Sequence, residues 1–185
     1  SDGYLDLIEH HSDSLLVSAK NLMNESDNLT AELFIKSIGA LDTLPGTWKT
    51  GLDSVKSFLA REVLIDTSNI RLADGSGVSR YNLTSSAQLI ELLKWMYKSD
   101  YKDDFIYTLP GGGWPKSTLE KRLTSEAGLV RAKTGGLSGA RNLAGYITSQ
   151  KYGDVAFSIL MNGYIGSSSK YTRLQNQIVK AVIYD

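Results

Sequence analysis

Apolar positions along the chain follow two rhythms. Leu15, Leu16, Ala19, Leu22 and Met23 share one face of a helix opened by Ser12-Asp13. The same spacing predicts a helix from Leu29 to Ile38, with Leu33, Phe34 and Ile38 inward and Gly39 as its stop. Trp48 to Arg61 reads as a helix through Leu52, Val55, Phe58 and Leu59. Thr84-Ser85 begins another; Ser85 and Gln88 fit a reciprocal cap, and Leu89, Ile90, Leu93 and Met96 supply the buried face. The last helix runs from Lys170 to Ile183, with Leu174, Ile178 and Val182 on one side. The second rhythm is dense and short. Gly128 to Lys133, Asn142 to Thr148 and Val155 to Met161 read as strands, with a further short strand at Tyr4 to Ile8. Their short connections favour antiparallel hairpins. Glu25 to Asn28 is a polar break, Asp74-Gly75-Ser76-Gly77 is turn material, and Pro110 to Pro115 is a loop. Helices, a small antiparallel meander and a packing helix make an α+β domain without repeat or linker.

Composition narrows the function classes. The chain has 185 residues, enough for one domain with a sizeable core, and is 42% apolar and 22% charged. Twenty basic residues balance 20 acidic ones, so neither nucleic acid nor an anionic membrane surface is the expected partner. There is no cysteine, which excludes disulfides and thiol nucleophiles and is compatible with an extracytoplasmic setting. The two histidines, His10 and His11, are adjacent and form no helical zinc pair; no metal or other cofactor is expected. No apolar run approaches the roughly 20 residues that span a bilayer.

The chemistry concentrates in two places. Lys133-Thr134-Gly135, followed by Gly136, sits at a strand edge between two apolar runs. A lysine, a small hydroxyl residue and a glycine there suit the binding of a peptide carboxylate alongside an open backbone. Ser26 and Asn28 lie on the polar turn between the first two helices. Both can point into one cleft, the hydroxyl to relay a proton and the amide to meet a substrate carbonyl. The plainer reading is that either residue caps the next helix. Arg131 and Arg141 flank the lysine hairpin as solvated charges able to steer an anionic peptide tail.

A Ser-x-Asn turn followed about a hundred residues later by Lys-Thr-Gly resembles two of the three elements of serine penicillin-recognising enzymes. Met23 to Leu33, Asp74 to Asn82, and Ala132 to Leu137 continuing into Leu143-Ala144-Gly145-Tyr146 are similar to the class C low-molecular-mass penicillin-binding proteins, the D-alanyl-D-alanine carboxypeptidase/endopeptidase family. The resemblance implies a penicillin-binding/β-lactamase-like transpeptidase fold, a peptidoglycan stem peptide as substrate, β-lactams as acylating ligands and an extracytoplasmic location. It implies that Ser26 shuttles the proton to the leaving D-alanine and Asn28 positions the acyl side. Lys133 supplies positive charge and bonds Ser26, and Thr134 binds the terminal carboxylate. Gly135 keeps the strand surface clear, and the Gly136 N–H completes an oxyanion hole. Glycine at 136 departs from the threonine or serine common there and removes one carboxylate contact.

The nucleophilic Ser-x-x-Lys of that family does not precede Ser26. Ser99-Asp100-Tyr101-Lys102 and Ser167-Ser168-Ser169-Lys170 both follow it. Lys102 sits among acids that favour its charged form, and the serine triplet suits a helix cap. Residues 1–185 are therefore expected to be the C-terminal portion of one catalytic domain, inactive alone, with a missing N-terminal segment or self-association covering its exposed strip. The alternative is a non-catalytic peptidoglycan-peptide-binding or scaffolding module.

Overall fold

The computed structural model describes residues 11–42 and 45–185. The strand expected at Tyr4 to Ile8, and His10, lie outside them. Helix α1 (Leu15–Glu25) leads into α2 (Asn28–Asp42) and α3 (Trp48–Arg61). An irregular segment follows, then α4 (Ser86–Lys98) and the short α5 (Lys102–Thr108). A loop and a single 3₁₀ turn precede β1 (Val130–Leu137), β2 (Ala140–Ser149), β3 (Gly153–Asn162) and α6 (Ser169–Tyr184). The three strands form an antiparallel sheet in the order β1-β2-β3, as the short connections imply.

Strand alternation divides the sheet into two faces. Val130, Ala132, Leu143 and Ile147 point to one side and pack against Val179 and Ile183 of α6, with Leu119 and Leu123 closing the core. Ala144, Tyr146 and Ala156 point the other way, towards Leu93 of α4, Phe105 and Ile106 of α5, Leu109 and Met23 of α1. The Tyr146 hydroxyl donates to the Leu93 carbonyl at 2.7 Å, and burial raises its pKa. A third cluster joins Leu59 and Val63 to Ile65 and Ile70, with Leu92 and Trp95 of α4 packed on it.

Several sequence expectations need correction. Ser14, not Ser12-Asp13, caps α1, accepting from the Val17 N–H at 3.4 Å. Gly39 does not stop α2, which continues to Asp42. A Cβ on Gly39 would run into Thr50 and the Gly51 backbone, so this glycine allows a close crossing of α2 and α3. Ile35 is the buried hydrophobic residue of α2 among those described, whereas Leu33 is exposed. On α6 the buried line is Gln175, Val179 and Ile183, while Leu174 and Ile178 face outward. Gln175 is taken inside because its amide donates to the Arg141 carbonyl at 2.9 Å and its oxygen accepts from Arg122 at 3.0 Å. Helix α5 arises from a segment whose apolar spacing gave no sign of it. The first strand runs on through Gly135 and Gly136 to Leu137 instead of ending at Lys133.

Candidate active site

The end of α1 sets the geometry. Ser26 occupies the left-handed backbone region, with φ 61° and ψ 49°, and its N–H closes the helix on the Leu22 carbonyl. For a residue other than glycine that conformation costs about 1–2 kcal/mol. It turns the serine hydroxyl out of the helix towards β1. Capping of α2 falls instead to Asp27, whose carboxylate accepts from the Leu29 N–H at 3.0 Å and the Thr30 hydroxyl at 2.6 Å. The Thr30 hydroxyl, helped by backbone N–H groups, holds the Asp27 carboxyl below its ordinary pKa. Ser26 and Asn28 are thereby released from capping. The Asn28 side chain is exposed and has no hydrogen-bond partner among the described residues.

Lys133 meets Ser26 across this turn. Its Nζ donates to Ser26 Oγ at 2.8 Å and to the Thr134 carbonyl at 3.1 Å. An ammonium has three N–H donors, so one stays uncommitted. Burial lowers the Lys133 pKa, and no carboxylate forms a salt bridge with it among the described residues. The site thus holds a desolvated positive charge against a serine hydroxyl.

Asn24, buried two residues before Ser26, braces the arrangement. Its side-chain amide donates to the Lys20 carbonyl at 2.8 Å and the Thr108 carbonyl at 3.0 Å, while its backbone carbonyl accepts from the Thr118 N–H at 3.0 Å. The loop gripped in this way also lines β1. Ala132 N–H donates to the Pro110 carbonyl at 2.9 Å, and Gly111 bridges Arg131. Arg131 is not the solvated charge expected. Its guanidinium lies 3.7 Å from the centre of the Trp114 ring, and burial lowers its pKa. Beyond Ala132 the outer edge of β1 has no strand beside it among the described residues. Lys133, Thr134, Gly135 and Gly136 lie along that open edge, available for an extended peptide to add as a strand.

Asp74 to Gly77 forms the turn expected, and the loop that continues to Asn82 also reaches the site. Asp74 accepts from Gly77 and Ser79 N–H groups at 2.7 and 2.6 Å. Glu32 of α2 anchors the turn by accepting from the Gly75 and Ser76 N–H groups. Burial works to raise the Glu32 pKa, but these bonds and one from Trp48 hold it below its ordinary value. Arg80 then donates to the Ser138 carbonyl at 2.7 Å at the β1–β2 tip. Between this loop and the sheet lies a cavity of about 480 Å³, lined by Ser79, Leu137, Asn142 and Leu160 among others.

Neither Ser-x-x-Lys resembles this arrangement. Lys102 lies 3.7 Å from the centre of the Tyr97 ring, and the Tyr97 hydroxyl leads the interactions that raise its pKa. Ser99 donates to the Met96 carbonyl, and Ser167 accepts from the Ser169 N–H at the start of α6.

The profile of the D-Ala-D-Ala carboxypeptidase 3 (S13) family matches residues 3–182. The chain belongs to that family. It is 36% identical over 166 residues to the D-alanyl-D-alanine carboxypeptidase of Actinomadura sp. (strain R39), covering 86% of this chain and 30% of that protein. It is 32% identical over 167 residues to the D-alanyl-D-alanine carboxypeptidase DacB of Haemophilus influenzae, covering 85% and 34% respectively. The chain thus spans about a third of the length of these curated relatives. The crystal structure of Haemophilus influenzae penicillin-binding protein 4 superposes with a TM-score of 0.81 at 27% identity, over 91% of this chain and 40% of that one. The α+β architecture is that of the S13 penicillin-binding proteins. In their order along the chain, the Ser-x-Asn and Lys-Thr-Gly segments had pointed to the family. Asn24 had not stood out, because a lone asparagine near a helix end carries no distinguishing pattern.

Proposed function

We propose that this chain forms one wall of the catalytic cleft of a serine D-alanyl-D-alanine carboxypeptidase or endopeptidase acting on peptidoglycan stem peptides outside the cytoplasm. The observation that carries the reading is the 2.8 Å contact between Lys133 Nζ and Ser26 Oγ, beside a strand edge unpaired among the described residues. In this reading residues 1–185 are the C-terminal part of the catalytic domain, and the nucleophilic serine lies in a further segment of the protein. Support comes from the share of the relatives that the chain spans and from the unsuitable surroundings of Ser99 and Ser167.

The chemistry is acyl transfer. The nucleophile's oxygen forms a bond to the carbonyl carbon of the penultimate D-alanine, and the C–N bond to the terminal D-alanine breaks. The proton that leaves the nucleophile is relayed through Ser26 to the departing amine, and Lys133 keeps that hydroxyl oriented with its cation. Thr134 binds the terminal carboxylate, and Asn28 holds the acyl side. Gly135 leaves room for the peptide backbone, and the Gly136 N–H faces the developing oxyanion. Water then releases the shortened peptide from the ester. A β-lactam follows the first half of this path and remains attached as the ester.

Fluorescent penicillin tests the proposal on the full-length protein. One covalent label per molecule is expected, lost when the upstream nucleophile is replaced. Full-length protein that takes no label on any serine defeats the enzymatic reading. A non-catalytic module would still bind D-alanyl peptides, reversibly and without turnover.

A further inference from the structure

Glycine at position 136 leaves the carboxylate end of the site short of a hydroxyl. What fills the space is Arg141. The two residues are opposite partners in the β1–β2 ladder and share a sheet face with Thr134. A Cβ placed on Gly136 would sit 2.7 Å from an Arg141 guanidinium nitrogen, Nη1. The arginine tip thus lies where a side chain at 136 would project.

The guanidinium is held but not neutralised. Its Nε donates to the Thr172 hydroxyl at 3.1 Å, which itself donates to the Ser168 carbonyl at 3.2 Å. The Arg141 carbonyl is fixed by the Gln175 amide. No carboxylate pairs with Arg141 among the described residues, whose salt bridges are Lys49–Asp53, Lys94–Glu91 and Lys180–Glu126. The other charge that acts across this region is Arg122, also a cation. A positioned guanidinium with unused donors, next to a strand edge open to peptide, calls for an anionic group from the ligand.

We infer that Arg141 is a specificity-determining residue that binds the free C-terminal carboxylate of the peptide together with Thr134, taking over the contact that Gly136 cannot make. The inference rests on the peptidase reading above. It extends that reading to a stronger demand for a charged peptide end than a hydroxyl alone would impose.

The test uses the full-length protein and two peptides, one ending in D-Ala-D-Ala as the free acid and one as its amide. Arg141→Ala should raise KM for the acid about 10- to 100-fold, the loss of a charge-assisted hydrogen bond, with kcat within about threefold. Its preference for acid over amide should shrink in step. Adding Gly136→Thr to Arg141→Ala should recover part of the lost KM by restoring a hydroxyl where the guanidinium lay. If Arg141→Ala fails to fold, Arg141→Lys carries the comparison, because it keeps the charge and loses the fork; a KM about three- to tenfold higher is expected. Active wild type with unchanged KM and unchanged acid preference in the variant overturns the Arg141 assignment alone. Wild type that neither cleaves the acid peptide nor takes up penicillin overturns the peptidase reading and this inference with it.

Discussion

The two faces of the sheet are built for different ends. Around Val130 and Ala132 the α6 face is a closed apolar core in which Leu119, Val130, Ala132, Leu143, Val179 and Ile183 are all fully buried; towards the β1–β2 tip the same face carries Thr134, Gly136 and Arg141. The opposite face is mixed. It carries Lys133, the buried Ser158 hydroxyl without a partner among the described residues, and the cavity beside Asn142. Close packing is what stabilises a small sheet, while a desolvated cation and an open edge lower stability and permit chemistry. Over Val130 to Lys133 stability and reactivity can be changed separately, by choosing which way a residue of the same strand points.

The largest expected effect lies on the closed face. Leu143→Ala should cost about 2–5 kcal/mol, read by chemical denaturation, while acylation per folded molecule stays near that of wild type. A large drop in acylation rate for the folded fraction would break the division. Lys133→Ala should do the reverse. Acylation of the full-length protein should fall about 100- to 1,000-fold, with stability within about 1 kcal/mol of wild type. Asn24→Ala should blur the boundary, since it removes donors from two carbonyls while loosening the turn that carries Ser26. A stability loss of about 1–3 kcal/mol is expected together with slower acylation, and acylation at the full wild-type rate would remove Asn24 from the positioning of Ser26.

The smallest effect is a pH shift. Burial depresses the Lys133 pKa, so its proton is lost at lower pH than from an ordinary lysine. Acylation should therefore decline on the alkaline side beginning below the usual lysine range. In Lys133→Arg that decline should move upward, because a guanidinium stays charged. An alkaline limb that ignores the substitution would assign the titration to another group.

Much of this was legible in the residue order, and the exceptions have physical causes. Helix α3 matched its expected limits because the Thr47 cap and a clean amphipathic period agree. The β1 end was misplaced because Gly135 and Gly136 have no side chains to reveal alternation, although their backbones continue the ladder. On α6, Leu174 and Gln175 suggest competing faces, and hydrogen bonding to a strand end and to Arg122 decided for the polar one. The meeting of Ser26 with Lys133 could be expected only from motif order, because no periodicity links residues 107 apart. Arg131 looked solvated because its partner, Trp114, reaches it through a loop whose path hydrophobic spacing does not encode.

The left-handed backbone at Ser26 sets two selective pressures against each other at a single codon. Glycine there would relax the chain and raise the melting temperature, yet would erase the hydroxyl that the lysine holds. Ser26→Ala would lose the hydroxyl and keep the strain, so the difference between the two melting points reads what the conformation costs less the unfolded-state entropy that glycine adds. Engineering this protein for hardiness would be drawn to that position early, and would purchase robustness with its chemistry.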